Sequence, residues 1–193
     1  MSERSAVGEG REKLLASLFD LFGEGGPSPD LSMRQIAEQL GVHHTLLTYH
    51  FGSRPRLLSA VLAEARRRDN DLIAATDADL GFAALATAVW EYYANPNRIG
   101  RIRALFYVSG LAMYDIDGYA DLIGGLDELE QLLERAARSD GMTPRQARRA
   151  SISAVACLRG LLFQRLLSDN HAELDDAARH YLRSLASPAT QRA

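Results

Sequence analysis

LSMRQIAEQLGVHHTLLTYHFGSRPRLL, residues 31–58, decides how the rest of the chain is read. Met33, Ile36, Ala37 and Leu40 recur at i, i+3, i+4 and i+7, the apolar stripe of a short helix, while Arg34, Gln35, Glu38 and Gln39 fall on its wet side. Ala37 is small where a second helix would cross. Gly41 can turn left-handed without a Cβ penalty, so it ends this helix, and Val42 can pack back beneath the turn. His43 to Phe51 forms a second pattern, with Leu47 and Phe51 four apart on a buried face. His44, Thr45, Thr48, Tyr49 and His50 remain as an outward surface able to hydrogen-bond, stack or touch methyl groups. Two short helices joined by a Gly-containing turn, with an aromatic and basic cluster behind them, are a helix-turn-helix signal.

Working outward, residues 1–10 are small, polar and Gly-containing and read as a mobile arm. From Arg11, the residues Leu14, Leu15, Leu18, Phe19, Leu21 and Phe22 give an amphipathic helix that ends at Gly23-Glu24-Gly25-Gly26 and closes a three-helix core. Pro27-Ser28-Pro29-Asp30 is a rigid connector, and Ser32 or Asp30 can cap the next helix. After Phe51, Gly52-Ser53 breaks the recognition helix. Pro55 suits the first turn of a fourth helix through Leu57, Leu58, Val61, Leu62 and Ala65, which ends at Arg66-Arg67-Arg68. Beyond Asp71 the pattern is helix after helix, over 81–94, about 97–114, a seam of Leu122, Leu126, Leu129, Leu133 and Ala136, then Thr143-Pro144 to about Leu167 and a last stripe from Leu174 to Leu185.

With 193 residues, 47% hydrophobic and 24% charged, the chain can bury a substantial core, and disorder is not the default. A single cysteine, Cys157, excludes an intrachain disulfide. The N-terminus has no apolar run for a signal sequence, and no stretch approaches the roughly 20 uninterrupted apolar residues of a membrane span, so a cytoplasmic location without a membrane partner is expected. The net charge of −3 argues against nucleic acid only globally. Between Leu31 and Arg68 six arginines face two acids, Glu38 and Glu64, so the positive charge lies where the motif lies. A local basic face suffices for phosphate attraction, because salt screens charges more than about 10 Å away.

The pattern L-S-x-R-x-I-A-x-x-L-G-V followed by L-x-Y-H-F-x-S-R-x-x-L-L resembles the DNA-binding segment of the TetR/AcrR-like repressors. The resemblance is strong over Leu31 to Leu58 and architectural beyond Asn70. It departs from the family at His43, where Ser usually caps the recognition helix, at Thr48, where Tyr is usual, and at Arg54, where Lys is usual. It implies an all-α fold, with a helix-turn-helix DNA-binding domain over residues 8–68 and a ligand-binding and dimerisation bundle over residues 69–193. The expected DNA-binding residues are Ser32, Met33, Arg34, His43, His44, Thr45, Thr48, Tyr49, His50 and Arg54. The resemblance places Arg34 at a base edge and Arg54 on a phosphate. It also implies an effector cavity, for which Trp90, Tyr93, Phe106, Tyr107, Met113, Cys157, Arg159 and Phe163 are the candidates. For most of these, ordinary helix packing is the plainer reading. Arg98, Arg101 and Arg103 read as a solvated face, whereas Arg159 is flanked by Leu158 and Leu161.

His43 and His44 are adjacent and point in different directions on a helix, with no Cys or carboxylate cluster beside them, so DNA contact is preferred to a metal site. No phosphate loop, nucleophile elbow or His-x-x-x-His pair supports catalysis, and no cofactor is implied. The expectation is a dimeric transcriptional repressor that binds a near-palindromic operator on double-stranded DNA and is released by a small-molecule effector. The homodimer would form through Ile152, Val155, Leu158, Leu162 and Leu166 of one helix and Leu174, Ala178, Tyr181 and Leu185 of the next. The alternative is a helical small-molecule-binding protein or enzyme with a vestigial helix-turn-helix.

Overall fold

Apolar residues at helical spacing, with Gly41, Gly52 and Gly141 at positive φ in the breaks, give regular elements that are all helical among the described residues. The structure is a computed structural model that describes residues 3–23, 30–76 and 81–186, and no strand occurs among them. The α-helices are α1 (Glu3–Phe22), α2 (Met33–Gln39), α3 (His44–Phe51), α4 (Arg54–Thr76), α5 (Phe82–Ala94), α6 (Ile99–Ala112), α7 (Ala120–Gly124), α8 (Glu128–Ser139), α9 (Pro144–Leu167) and α10 (His171–Leu185). Short 3-10 turns lie at Pro96–Arg98 and Asp117–Tyr119. The proposed connector Pro27-Ser28-Pro29 lies outside the described residues.

Three boundaries differ from the sequence reading. The first helix starts at Glu3 rather than Arg11, so residues 3–10 are helical and not an arm. Gly10 has a packing reason to be there: a Cβ on it would lie 3.3 Å from Cε1 of His50. The fourth helix does not stop at the arginine triplet but continues to Thr76, since arginine is a good helix former and no Gly or Pro intervenes. Arg67 pairs with Asp71 one turn on, at 2.7 Å. The third difference is in the seam from Leu122 to Ala136, which is not one helix. It breaks at Gly124-Gly125, leaving Leu122 on α7 and the other residues on or just before α8.

Contacts divide the chain into two compact units, Met1–Arg66 with Gly100–Gly125, and Arg67–Ile99 with Leu126–Ala193. The expected functional boundary at 68/69 is contiguous, whereas the packing units are not. In the first unit Leu14, Leu18, Ile36, Leu47, Phe51, Leu57, Leu58 and Val61 form one buried cluster that also takes in Ala104, Val108, Tyr119 and Leu122. Two buried polar side chains of α4 hold the α7 segment. The Leu122 amide donates to Ser59 Oγ at 2.8 Å, and the Arg66 guanidinium donates to the carbonyls of Leu122 and Gly125 at 3.4 and 2.5 Å. Those are carbonyls that the helix break at Gly124-Gly125 leaves without intrahelical donors. Arg101 is no solvated cation: it is 6% exposed, with its guanidinium 5.3 Å from the centroid of the Phe19 ring.

In the second unit α8 packs along α9, and α5 packs against α8, α9 and α10. The Asp140 carboxylate accepts the Phe82 amide at 2.7 Å at the start of α5, and Gly81 leaves room for it, since a Cβ there would lie 2.7 Å from the same carboxylate. Arg98 is likewise engaged, 3.8 Å from the buried carboxylate of Asp69, which also accepts the Tyr92 hydroxyl at 2.7 Å. Thr143 and Gln146 form a capping box with Pro144 in the first turn of α9. By length and composition alone α9 is long and apolar enough to cross a membrane, with a mean hydropathy of 1.3 over an 18-residue window, although arginines interrupt it and no uninterrupted apolar run of about 20 residues is present in it. Only 28% of that window is buried within the chain, so an apolar surface on α9 faces outward.

Candidate nucleic-acid interface

Ser32 caps α2 through a complete capping box. Its Oγ accepts the Gln35 amide at 3.3 Å and donates to Gln35 Oε1 at 2.8 Å, and its own amide donates to that Oε1 at 2.9 Å. The expected DNA contact of Ser32 therefore competes with a structural role. At the other end Gly41 has φ +67°, the Gly41 amide donates to Glu38 and the Val42 amide to Ala37, both at 3.0 Å. This double closure fixes the angle at which α3 leaves.

α3 starts without a side-chain cap. His43 Nδ1 instead lies 2.8 Å from Thr45 Oγ1, so the residue that replaces the usual Ser pairs within the helix's first turn. Leu47 is fully buried and Phe51 is 4% exposed. On the opposite side His43, His44, Thr45, Thr48 and Tyr49 are exposed, Tyr49 at 69%. Leu46, 40% exposed on the same helix, adds methyl groups to this face. Thr48 Oγ1 donates back to the His44 carbonyl at 3.1 Å, which holds its rotamer. His50 departs from the outward reading. It is half-buried, near Gly10 of α1, with its ring edge-on to Tyr49 at 5.0 Å.

On α2, Met33 is half-buried and packs against the first unit's core, while Arg34 is fully on the solvent side. Arg54 is not a simple surface charge: its Nε donates to the Leu31 carbonyl at 2.7 Å, tying the start of α4 to the residue before α2. Two further cations, Arg11 and Arg56, stand beside the end of α3. Arg56 lies two residues past Arg54 in the sequence, whereas Arg11 comes to this place only because α1 packs on α3.

The effector candidates do not form one group. Trp90 and Tyr93 are 5% and 8% exposed in the second unit, on α5. Arg159 is half-buried in the same unit and donates to the Leu126 carbonyl at 2.9 Å. Burial pulls its guanidinium pKa down, against the opposing charges of Glu130 and Tyr93. Cys157 is half-buried, with its thiol pushed up by burial, and Phe163 is 46% exposed. Phe106, Tyr107 and Met113 belong instead to the first unit. Met113, 76% exposed, lines no enclosed cavity. No cluster of three metal-ligating side chains occurs among the described residues.

Residues 14–61 match the family described as bacterial regulatory proteins, tetR family. The HTH-type transcriptional repressor Rv3405c of Mycobacterium tuberculosis is 38% identical over 65 residues, 32% of this chain and 34% of that protein. The match thus spans about a third of that relative. A TetR-family transcriptional regulator from Rhodococcus sp. superposes with a TM-score of 0.70 over 93% of this chain and all of that one, at 18% identity. The multidrug binding protein EbrR, solved with proflavin, superposes with a TM-score of 0.65 over 91% of this chain and 99% of its own, at 22% identity. At such identities the likeness is one of fold, and the family match over residues 14–61 includes α2, the turn at Gly41 and α3. Residues 14–61 thus match the model of the tetR family of bacterial regulatory proteins, and the all-helical fold that carries this module is similar to that of a solved TetR-family regulator.

Proposed function

We propose that the protein is a dimeric repressor that reads a near-palindromic duplex through α2 and α3 and leaves it when a small-molecule effector binds the second unit. The observation that carries this reading is the exposed polar and aromatic face of α3, set at a fixed angle behind Arg34 by the closure at Gly41. An α-helix of this kind fits the major groove, where side-chain donors, acceptors and methyl contacts distinguish base pairs. The vestigial-motif alternative has no support in the site, where the capping box of α2 and the turn at Gly41 are intact.

Dimerisation is supported by the outer face of α9, on which Ile152 lies but Val155, Leu158 and Leu162 do not. Val155, Leu158 and Leu162 are buried within the second unit, as are Ala178 and Leu185 of α10. The exposed stripe is Ile152, Ala156, Gly160, Phe163 and Leu167. That row is self-complementary about its midpoint near Gly160. An antiparallel copy would set Ile152 opposite Leu167 and small Ala156 opposite bulky Phe163, as an isologous contact requires. The effector reading rests on Trp90, Tyr93 and Arg159 in the second unit, a buried aromatic pair with a half-buried cation, which suits an apolar molecule carrying an anionic group.

Arg34→Ala should cost about 1–3 kcal/mol on the operator and much less on scrambled duplex, with an unchanged melting temperature. Arg54→Ala should weaken both duplexes alike, reduce the salt slope by about one and also lower the melting temperature, because the tie to Leu31 is lost. Arg54→Lys keeps the charge without the Nε donor and should restore the slope but not the stability. An equal loss on both duplexes for Arg34→Ala would remove its base-reading role, and an unchanged slope for Arg54→Ala its phosphate role.

Gly160→Glu meets nothing within its own chain, since a Cβ there has no neighbour within 4 Å. Two such carboxylates would oppose each other across the proposed axis, so sedimentation should show a folded monomer with lost operator affinity. A variant that stays dimeric would sink this interface. Trp90 is the sole tryptophan and reports on the effector site. Anilinonaphthalene sulfonate, an apolar anion, should quench its emission and weaken operator binding by about tenfold, a difference of about 1.4 kcal/mol between states. Saturating quenching with unchanged DNA affinity would contradict effector control from this site.

A further inference from the structure

Where α3 ends, the first unit contains a polar cleft of about 410 Å³. Arg11, Tyr49, His50 and Arg56 line one part of it, Asp117 and Asp121 another. Phe51 and Ser59, 4% and 1% exposed, form the floor. The Arg11 guanidinium lies 5.3 Å from the centroid of the Phe51 ring, and its Nη2 is 3.3 Å from Asp121 Oδ2. Both side chains of this pair remain accessible, at 41% and 55%. Arg56 and Asp117 make no ion pair among the described residues. The cleft therefore combines one arginine with an internal counter-ion and one without, beside the exposed Tyr49 of the recognition helix.

We propose that this cleft seats a backbone phosphate of the DNA, and that Asp121 holds Arg11 in the free protein as a built-in competitor for that phosphate. The proposal rests on the DNA-binding reading and adds to it a contact outside the helix-turn-helix. A carboxylate and a phosphodiester offer a guanidinium the same paired oxygen acceptors, so one replaces the other without change of geometry at the arginine. The exchange is cheap, because a solvent-exposed ion pair is worth at most about fivefold in an equilibrium constant. Phe51 keeps the guanidinium at the end of α3 through its ring face, while the other partner is exchanged. Asp121 does not drift away in turn. The buried hydrogen bond from the Leu122 amide to Ser59 and the two from Arg66 hold its segment on α4. DNA affinity is thus held below what the protein's cations could deliver, by an acid supplied from the segment between α6 and α8.

The test measures binding to operator and to scrambled duplex at several salt concentrations, for the wild type, Asp121→Asn, Arg11→Ala and the double variant. Asp20→Asn, an exposed acid on α1 away from the cleft, controls for net charge. Asp121→Asn should tighten both duplexes by up to about fivefold more than Asp20→Asn does, and steepen the salt slope by up to about 0.9. Asp121→Ser should do the same, with unchanged melting temperatures throughout. Arg11→Ala should weaken both duplexes and erase the effect of Asp121→Asn. The proposal is overturned if Asp121→Asn matches Asp20→Asn, or if its gain survives in the Arg11→Ala background. A wild type that binds duplex while either of these results holds loses only the competitor; a wild type that binds no duplex loses the DNA-binding reading as well.

Discussion

α3 has eight residues, too few to hold a helix in water by itself, so the face proposed to read DNA depends on the burial of Leu47 and Phe51. Leu47 is fully enclosed among Leu18, Ile36, Leu57 and their neighbours in the first unit's core. A buried leucine of this kind contributes about 2–5 kcal/mol, a large fraction of the net stability of a small domain. Burying that side forces the other side, with His44, Thr45, Thr48 and Tyr49, into solvent. The exposed polar face of α3 is therefore a consequence of apolar packing, and its direction is set by the turn at Gly41.

The same core reaches further along the chain than a three-helix motif would. Tyr119 and Leu122 join the cluster that holds α3, and Ser59 and Arg66 fasten α7 to α4 with buried hydrogen bonds to its backbone. An unmade hydrogen bond at such a buried group costs about 1–3 kcal/mol, so these contacts are broken only together with the packing around them. The segment Gly100–Gly125 is accordingly part of the unit that carries α3. A regulatory signal that displaced this segment would act on α4 directly, through two named side chains.

The helix-turn-helix was legible because its signals are local. The i, i+3, i+4 stripe, the Gly at the turn and Ser32 as a candidate cap are each written within a few residues. The starts of α5, α9 and α10 were legible to within a few residues for the same reason. Misread features depended on partners distant in sequence. Arg66 looked like a helix-ending charge because the carbonyls of Leu122 and Gly125 that engage it lie more than fifty residues away. Leu158 and Leu162 looked like a dimer face because apolar periodicity marks burial without saying which chain does the burying. His50 looked outward because nothing in its own helix reveals that α1 approaches at Gly10. The effector candidates were least legible, since aromatic residues at helical spacing are needed equally for core and cavity, and Phe106, Tyr107 and Met113 lie in a different unit from Trp90 and Tyr93.

The most direct measurement is selection of bound sequences from a pool of random duplex DNA by the wild-type chain, followed by sequencing of what is retained. A dimer that presents two copies of α3 recovers inverted half-sites with centres about 34 Å or a multiple of that apart. Recovery of no common sequence, or of a single unpaired half-site, would contradict the proposal that this protein reads DNA as a two-fold pair of recognition helices.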